Sequence, residues 1–248
     1  MAVQDVAEIA RRLLHVPLFE GLSLDTLAQI VSLSYPKEAN AGEFFFNEGD
    51  QADVFLVLMT GRVKLTQLTP DGQQIVLRLI GPGDAFGGVG AFGDPTYPIS
   101  AEAVETASAL AWNSATMGQL LETQNQIALN ALRFVANRYH DLQRRYRQAM
   151  TERVERRVAR ALLRLVREAG RRVDEGVEID FPISRQDIAE MTGTTLFTVS
   201  RLLSAWEERG IVKSGRQRSS SPSRTRSLRL PKTYPIDSYI RCLLQRND

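Results

Sequence analysis

Cysteine is nearly missing from this 248-residue chain: Cys242 stands alone. One thiol excludes an intramolecular disulfide framework and any four-cysteine metal cluster within the chain, and it fits a reducing cytoplasm. Histidine is almost as scarce, with His15 and His140 only, so no metal-spaced histidine motif exists. No glycine-rich phosphate loop and no nucleophile–base set can be picked out, which argues against an enzyme; the expected catalytic and metal sets are both empty. No apolar run reaches 18 residues, so no transmembrane helix is expected. The opening MAVQDVAEIARRLLHVPLFEG is amphipathic and carries acids, unlike a signal peptide.

What is present is unevenly spread. Residues 1–123 hold 6 Lys+Arg against 15 Asp+Glu, and residues 124–248 hold 25 against 14. The net charge of +2 therefore hides an acidic front of −9 and a basic back of +11. An acidic sensor half and a polyanion-binding half are one explanation; two solvated faces are the other. Arginine dominates the basic half, and its planar fork matches phosphate oxygens.

Residues 181–212, FPISRQDIAEMTGTTLFTVSRLLSAWEERGIV, carry the densest local signals. Ser184 can cap a helix with Ile188, Ala189 and Met191 on its apolar face. Gly193 suits a tight turn. Thr194 or Thr195 can cap a second helix with Val199, Leu202, Leu203 and Trp206 at helical spacing, ending at Gly210. Either this is a helical hairpin in a core, or it is a helix-turn-helix whose second helix enters a DNA major groove. In the second case Thr195, Leu196, Thr198, Ser200 and Arg201 point outward.

Ahead of it, residues 4–34 read as two short helices. Residues 36–112 read as strands: short apolar runs at 44–46, 54–59, 63–68, 75–80 and 101–112, separated by turn signals such as Pro70-Asp71-Gly72. Many short strands imply a small antiparallel barrel or sandwich, either filled or holding a small ligand. After Met117 helical character returns. Ala128, Leu132, Val135, Tyr139, Leu142, Tyr146 and Ala149 follow alternating steps of four and three, a heptad seam. A helix of about 25 residues is about 37 Å long. The seam serves either a parallel dimer or packing on the chain's own barrel. Residues 151–170 form a further amphipathic helix, with a hinge near 148–152, and 177–181 a short strand.

Taken in order, these residues resemble the Crp/Fnr family of bacterial transcription regulators. GEFFFNEGDQADVFLVLMTGRVKL (42–65), Gly83-Asp84-Ala85-Phe86-Gly87 and ISRQDIAEMTGTTLFTVSRLL (183–203) carry the resemblance. It implies an α+β fold with an N-terminal antiparallel β-roll like a cyclic-nucleotide-binding domain, a long dimerisation helix and a C-terminal winged helix-turn-helix. The implied division is 1–116 for the effector-sensing roll with its leading helices, 117–149 for the dimerisation helix, 150–218 for the DNA-binding domain and 219–248 for an atypical basic tail.

The resemblance also implies roles. Arg185 corresponds to a backbone-phosphate contact, and Ser200 with Arg201 to a pair touching phosphate and base edge. Where relatives place a glutamate, and in some an arginine just before it, this chain has Phe197 and Leu196, so a borrowed half-site consensus is not expected. Phe86, Gly87, Gly88, Ser100 and Ala101, with Tyr139 or His140, are the implied effector-pocket lining. Leu132, Val135, Tyr139, Leu142 and Tyr146 are the implied dimer interface.

Cyclic-AMP binders in the family usually carry a glutamate soon after Phe-Gly and an Arg-Ser-Ala or Arg-Thr-Ala; this chain has Gly88, then Pro98-Ile99-Ser100-Ala101. Tight cyclic-AMP binding is therefore not expected, because the cyclic phosphate would be buried largely unpaired. An iron–sulfur cluster lacks cysteines, and haem would have to use His15 or His140. The implied partners are double-stranded DNA, RNA polymerase, an unidentified small effector and a second copy of the chain, in the cytoplasm and without a membrane. Two alternatives stay open: a signal-independent regulator with an unliganded roll, and a nucleotide-binding sensor module without a DNA role. The tail also has two explanations. From Lys213 to Lys232 there are seven basic residues and no acid, consistent with a basic arm or with an out-of-frame end, although 227–230 could still form a wing strand.

Overall fold

A chain that alternates glycine-punctuated apolar runs with helical repeats has to bury two kinds of surface, and the strand at 54–60 shows how. The computed structural model describes residues 3–174, 176–179, 181–216 and 226–231. Two compact units make it up, one of Met1–Leu68 with Arg78–Gln143 and one of Thr69–Leu77 with Arg144–Asp248.

The first unit opens with helices α1 (Val3–Leu13) and α2 (Leu24–Ser32), the latter capped by the Ser23 side chain, which accepts from the Thr26 amide. Eight strands follow: β1 (Tyr35–Ala39), β2 (Phe44–Phe46), β3 (Val54–Thr60), β4 (Val63–Leu68), β5 (Gln74–Ile80), β6 (Ala85–Phe86), β7 (Ser100–Ala103) and β8 (Ala107–Asn113). They form two four-stranded sheets, ordered β1-β8-β3-β6 and β2-β7-β4-β5. Every recorded pairing in them is antiparallel.

Six of the seven residues of β3 are buried. A run apolar on both faces needs cover on both faces. Phe55, Val57 and Met59 pack with Leu13, Phe19, Leu27 and Ile127 of the helical layer. Val54, Leu56 and Leu58 alternate with them into the roll interior, against Phe46, Phe86 and Ala101. β8 divides in the same way, with Leu110 and Trp112 toward the helices and Ala107, Ala109 and Ala111 toward the interior. The alanines leave the interior space that the three phenylalanines Phe45, Phe46 and Phe86 and stacked Tyr97 occupy.

Two polar side chains fasten the helical layer, one to the sheet and one within the layer itself. Trp112 Nε1 donates to the Ile30 carbonyl at 2.8 Å. Buried Asn130 donates to the carbonyls of Leu18 (3.0 Å) and Glu20 (2.8 Å). Each satisfies groups whose burial would otherwise cost on the order of 1–3 kcal/mol.

Three expectations are corrected. The apolar run 101–112 is two strands, β7 and β8, turning at 104–106. Its signal lies elsewhere in the sequence: Gly61 has φ +80°, and a Cβ there would sit 2.6 Å from the Ala107 Cα and the Thr106 oxygen. β1, largely polar with Pro36 as its second residue, is a strand outside the apolar runs, which suits a sheet edge. The helix expected over 117–149 is interrupted: α3 (Ser114–Thr123) stops at Gln124, whose backbone is non-helical, and α4 runs Asn125–Thr151. At 27 residues α4 is about 40 Å long.

The second unit contains α5 (Val154–Ala169), β9 (Gly170–Val173), β10 (Gly176–Ile179), α6 (Arg185–Thr192), α7 (Leu196–Glu208), β11 (Lys213–Arg216) and β12 (Arg226–Pro231). Its sheet is ordered β11-β12-β10-β9. Gly170, expected only to stop α5, is also the first residue of β9; a Cβ there would meet the Val166 oxygen at 2.2 Å. The wing strand that 227–230 could form is present as β12, paired with β11 and β10. The rest of the 219–248 tail, Cys242 included, lies outside the described residues.

Candidate nucleic-acid interface and roll cavity

In the second unit the two short helices are fixed by local chemistry at each end. Ser184 Oγ accepts from the Asp187 amide at 2.9 Å while Asp187 Oδ2 accepts from the Ser184 amide at 2.8 Å, a reciprocal cap on α6. Gly193 ends α6 at φ +60°, ψ +48°, the left-handed conformation that glycine adopts without a steric penalty. Thr195 then caps α7, accepting from the Thr198 amide at 3.2 Å.

One guanidinium braces the turn. Arg157 of α5 donates through Nε to the Thr192 carbonyl (3.0 Å), through Nη2 to the Gly193 carbonyl (3.4 Å) and through Nη1 to the Glu152 carbonyl (2.9 Å). A cation on the last carbonyls of α6 satisfies groups that helix geometry leaves unpaired. The residue was not singled out from sequence, because it sits 35 positions before the carbonyl it holds.

Val199, Leu203 and Trp206 of α7 are buried, as are Ile188 and Ala189 of α6 and Val158 and Leu162 of α5. The opposite face is presented. Thr195 and Arg201 are exposed, Leu196 is 47% exposed and Phe197 75%, and Thr198 and Ser200 are half-buried. Six of the seven expected DNA-contact residues thus share the first two turns of one helix. Arg185 differs: its side chain is 20% exposed and lies toward Glu207, Nη2 to Oε1 3.8 Å. A phosphate contact from Arg185 therefore requires it to leave that carboxylate.

In the first unit a cavity of about 320 Å³ opens between the roll and α4. Phe86, Gly87 and Gly88 line it. Ser100, Ala101 and Tyr139 do not. Ala101 is fully buried in the roll core, Ser100 Oγ accepts from the Glu48 amide, and Tyr139 is 58% exposed on α4; His140 is also exposed. The lining that sequence reasoning missed comes from α4: Ala131, Phe134, Val135 and Arg138, with Phe55 and Ile99 from the roll. The four α4 residues have i, i+3, i+4, i+7 spacing, the signal of one helix face. The apolar seam next to that face obscured it.

Two features give this cavity its chemistry. Ile99 lies in the apolar part of its lining, and a Cβ on Gly88 would lie 3.1 Å from the Phe55 ring. The cavity's charged groups are Arg78 and Arg138. Asp84 gathers both: its Oδ1 is 2.6 Å from Arg78 Nη2 and 3.5 Å from Arg138 Nη2, and its Oδ2 accepts from the Gly81 amide. Arg138 also lies over the Phe134 ring, 4.5 Å from its centroid.

Along α4, Leu132 (67% exposed), Val135, Tyr139, Leu142 (64%) and Tyr146 form an exposed apolar stripe, extended by Leu129 and Met150. Among the described residues no helix is long and apolar enough to cross a membrane, and no group of three or more His, Cys, Asp and Glu could hold a metal.

Comparison with known proteins agrees with this architecture. Residues 36–124 match the cyclic nucleotide-binding domain family and residues 156–221 the Crp-like helix-turn-helix domain family. The cyclic AMP receptor protein of Thermus thermophilus is 30% identical over 199 residues, covering 80% of this chain and 89% of that one. The CRP-like cAMP-activated global transcriptional regulator of Mycobacterium tuberculosis is 24% identical over 196 residues, covering 79% and 88%. The fold is that of FixK2 from Bradyrhizobium japonicum, with a TM-score of 0.68 at 23% identity, covering 83% of this chain and 96% of that one. With a nucleotide-binding-type roll followed by a helix-turn-helix, and a relative of this similarity over most of both chains, this chain belongs to the Crp/Fnr family of bacterial transcription regulators.

Proposed function

We propose that the chain works in the cytoplasm as a homodimer that places two copies of α7 on a pseudo-palindromic operator and alters transcription there by RNA polymerase. The observation that carries this is the α4 stripe. A contiguous exposed apolar face at heptad spacing is a surface that water disfavours and a second α4 can cover. A two-fold dimer then suits half-sites one helical turn apart, about 34 Å. On α7, Thr195, Leu196, Phe197, Thr198, Ser200 and Arg201 supply the contacts. Arg201 can be bidentate to guanine, and the bulky apolar pair Leu196-Phe197 suits thymine methyl groups. Arg185 adds a phosphate contact once it leaves Glu207.

The roll cavity is the effector site, and cyclic AMP is not its ligand. Ile99 offers no charge to a cyclic phosphate, and Phe55 occupies the space a side chain at position 88 would need. Val135 belongs both to the cavity lining and to the dimer stripe, so a ligand that moves it biases how two α4 helices pack.

A mobility-shift titration on the promoter of the protein's own gene, at low salt, tests the DNA assignment. Retarded DNA that is competed by the same sequence and not by scrambled DNA is the expected result. No complex at micromolar protein and low salt would overturn it. Calorimetry with cyclic AMP is expected to show no micromolar binding.

A further inference from the structure

The cavity's lining specifies a class of ligand. Its volume of about 320 Å³ is roughly twice the ~150 Å³ that accommodates one benzene, so it suits a bicyclic aromatic or a medium-length alkyl chain. The walls are apolar: Phe55, Phe86, Met117, Leu121, Ile99 and Phe134 contribute no hydrogen-bonding side-chain group. A nucleotide's sugar hydroxyls and base edges would lose water there without replacement, which is costly.

Polarity is confined to the arginine pair. No acid is among the residues lining the cavity, while Arg78 and Arg138 both are. Asp84, which is not in the lining, pairs with both cations through the same oxygen, and Asp141 Oδ2 lies 3.8 Å from Arg138 Nη1. The Arg78 side chain is 15% exposed, and its Nε is buried without a hydrogen-bond partner. A guanidinium carries five N–H donors in a fork that matches a carboxylate. Arg138 also lies over the Phe134 ring, a contact that favours keeping its cation at the cavity.

We infer that the cavity takes a small, mainly apolar acid, an aromatic or medium-chain carboxylate, with its hydrocarbon against Phe55, Phe86 and Met117 and its carboxylate at Arg78 and Arg138. This rests on the roll cavity being the effector site. It goes further by naming the chemistry that the site selects: one negative charge on a water-averse body.

The test uses full-length protein and two acid–amide pairs: 2-naphthoate with 2-naphthamide, and decanoate with decanamide. By calorimetry, at least one acid is expected to bind about tenfold or more tighter than its neutral amide. Arg138→Gln, at a half-exposed position, is expected to remove most of that preference, weakening the acid far more than the amide. Arg138→Lys, which keeps the charge and loses the fork, is expected to retain part of it. Circular dichroism confirms that each variant is folded. Equal affinity of acid and amide, an unchanged preference in Arg138→Gln, or no binding of either acid would overturn the assignment. The same acids are then added to the mobility-shift titration. An acid that binds with the predicted selectivity yet leaves DNA affinity unchanged would sink the effector role and leave the ligand class standing.

Discussion

Shortening two leucines on the α4 stripe should take the dimer apart without unfolding the chain. Leu132 and Leu142 are 67% and 64% exposed in a single chain. Full burial of a leucine is worth about 2 kcal/mol, so covering the remaining two-thirds in a dimer contributes about 1.3 kcal/mol per leucine. Each leucine occurs twice, giving about 2.6 kcal/mol per position. Alanine removes three of the four side-chain carbons and hence about 2 kcal/mol of this, roughly a thirtyfold increase in the dimer dissociation constant. The two positions are about 15 Å apart along the helix, far enough to add. Leu132→Ala with Leu142→Ala should therefore weaken the dimer by about 4 kcal/mol, close to a thousandfold. Sedimentation velocity over a concentration series reads this directly. Neither leucine belongs to the buried core, so the thermal midpoint of the dissociated chain should be unchanged. A double variant that dissociates like the parent protein would refute the stripe as the interface. So would a parent protein that is monomeric at every concentration.

Three further outcomes are expected. Gly193→Ala places a Cβ at φ +60° and should lower stability by about 1–2 kcal/mol in urea unfolding, with an unchanged midpoint as the contrary result. Arg201→Gln should weaken operator binding by about 1–3 kcal/mol and relax discrimination at one base pair, whereas an equal loss on all sequences would make it a phosphate contact. Arg164 has its pKa lowered to about 10, by burial first and by the charge of Arg145 second. Its folded pKa lies below the ordinary arginine value, so the charged form is disfavoured by folding. That cost is fully present below about pH 10 and is relieved as pH climbs above it. A shift of this size corresponds to about 3 kcal/mol, and partial exposure reduces it to on the order of 1 kcal/mol. Arg164→Met should therefore stabilise the protein at pH 7 in urea unfolding; a loss of stability would show that the arginine is net favourable.

The sequence made local chemistry legible and long-range placement much less so. The caps at Ser184 and Thr195 and the turn at Gly193 are each set by residues within four positions, and they stand where the spacing put them. The apolar run of β3 also announced itself, although its division between two cores depends on helices far away in the chain. Ser100 and Ala101 were assigned to the cavity by resemblance, but β7 carries them into the roll core and its hydrogen bonds instead. Phe134 and Arg138 were overlooked because a seam of larger apolar residues on the same helix dominates the heptad pattern. The 104–106 turn carries no proline or glycine of its own, and the space for it comes from Gly61 across the sheet.

The pairing of β1 with β8 has a consequence for the order in which this protein can be made. Residues 35–39 find their partners only at 107–111, and the carbonyls of Leu18 and Glu20 wait for Asn130. The first strand is thus a guest without a host for some seventy residues of synthesis, and the leading helices have no finished layer to join until the start of α4 has left the ribosome. Non-local closure of this kind slows folding and leaves edges exposed meanwhile. The same segment that completes the core then begins the exposed apolar stripe of α4, so that stripe emerges only as this half of a nascent chain becomes foldable.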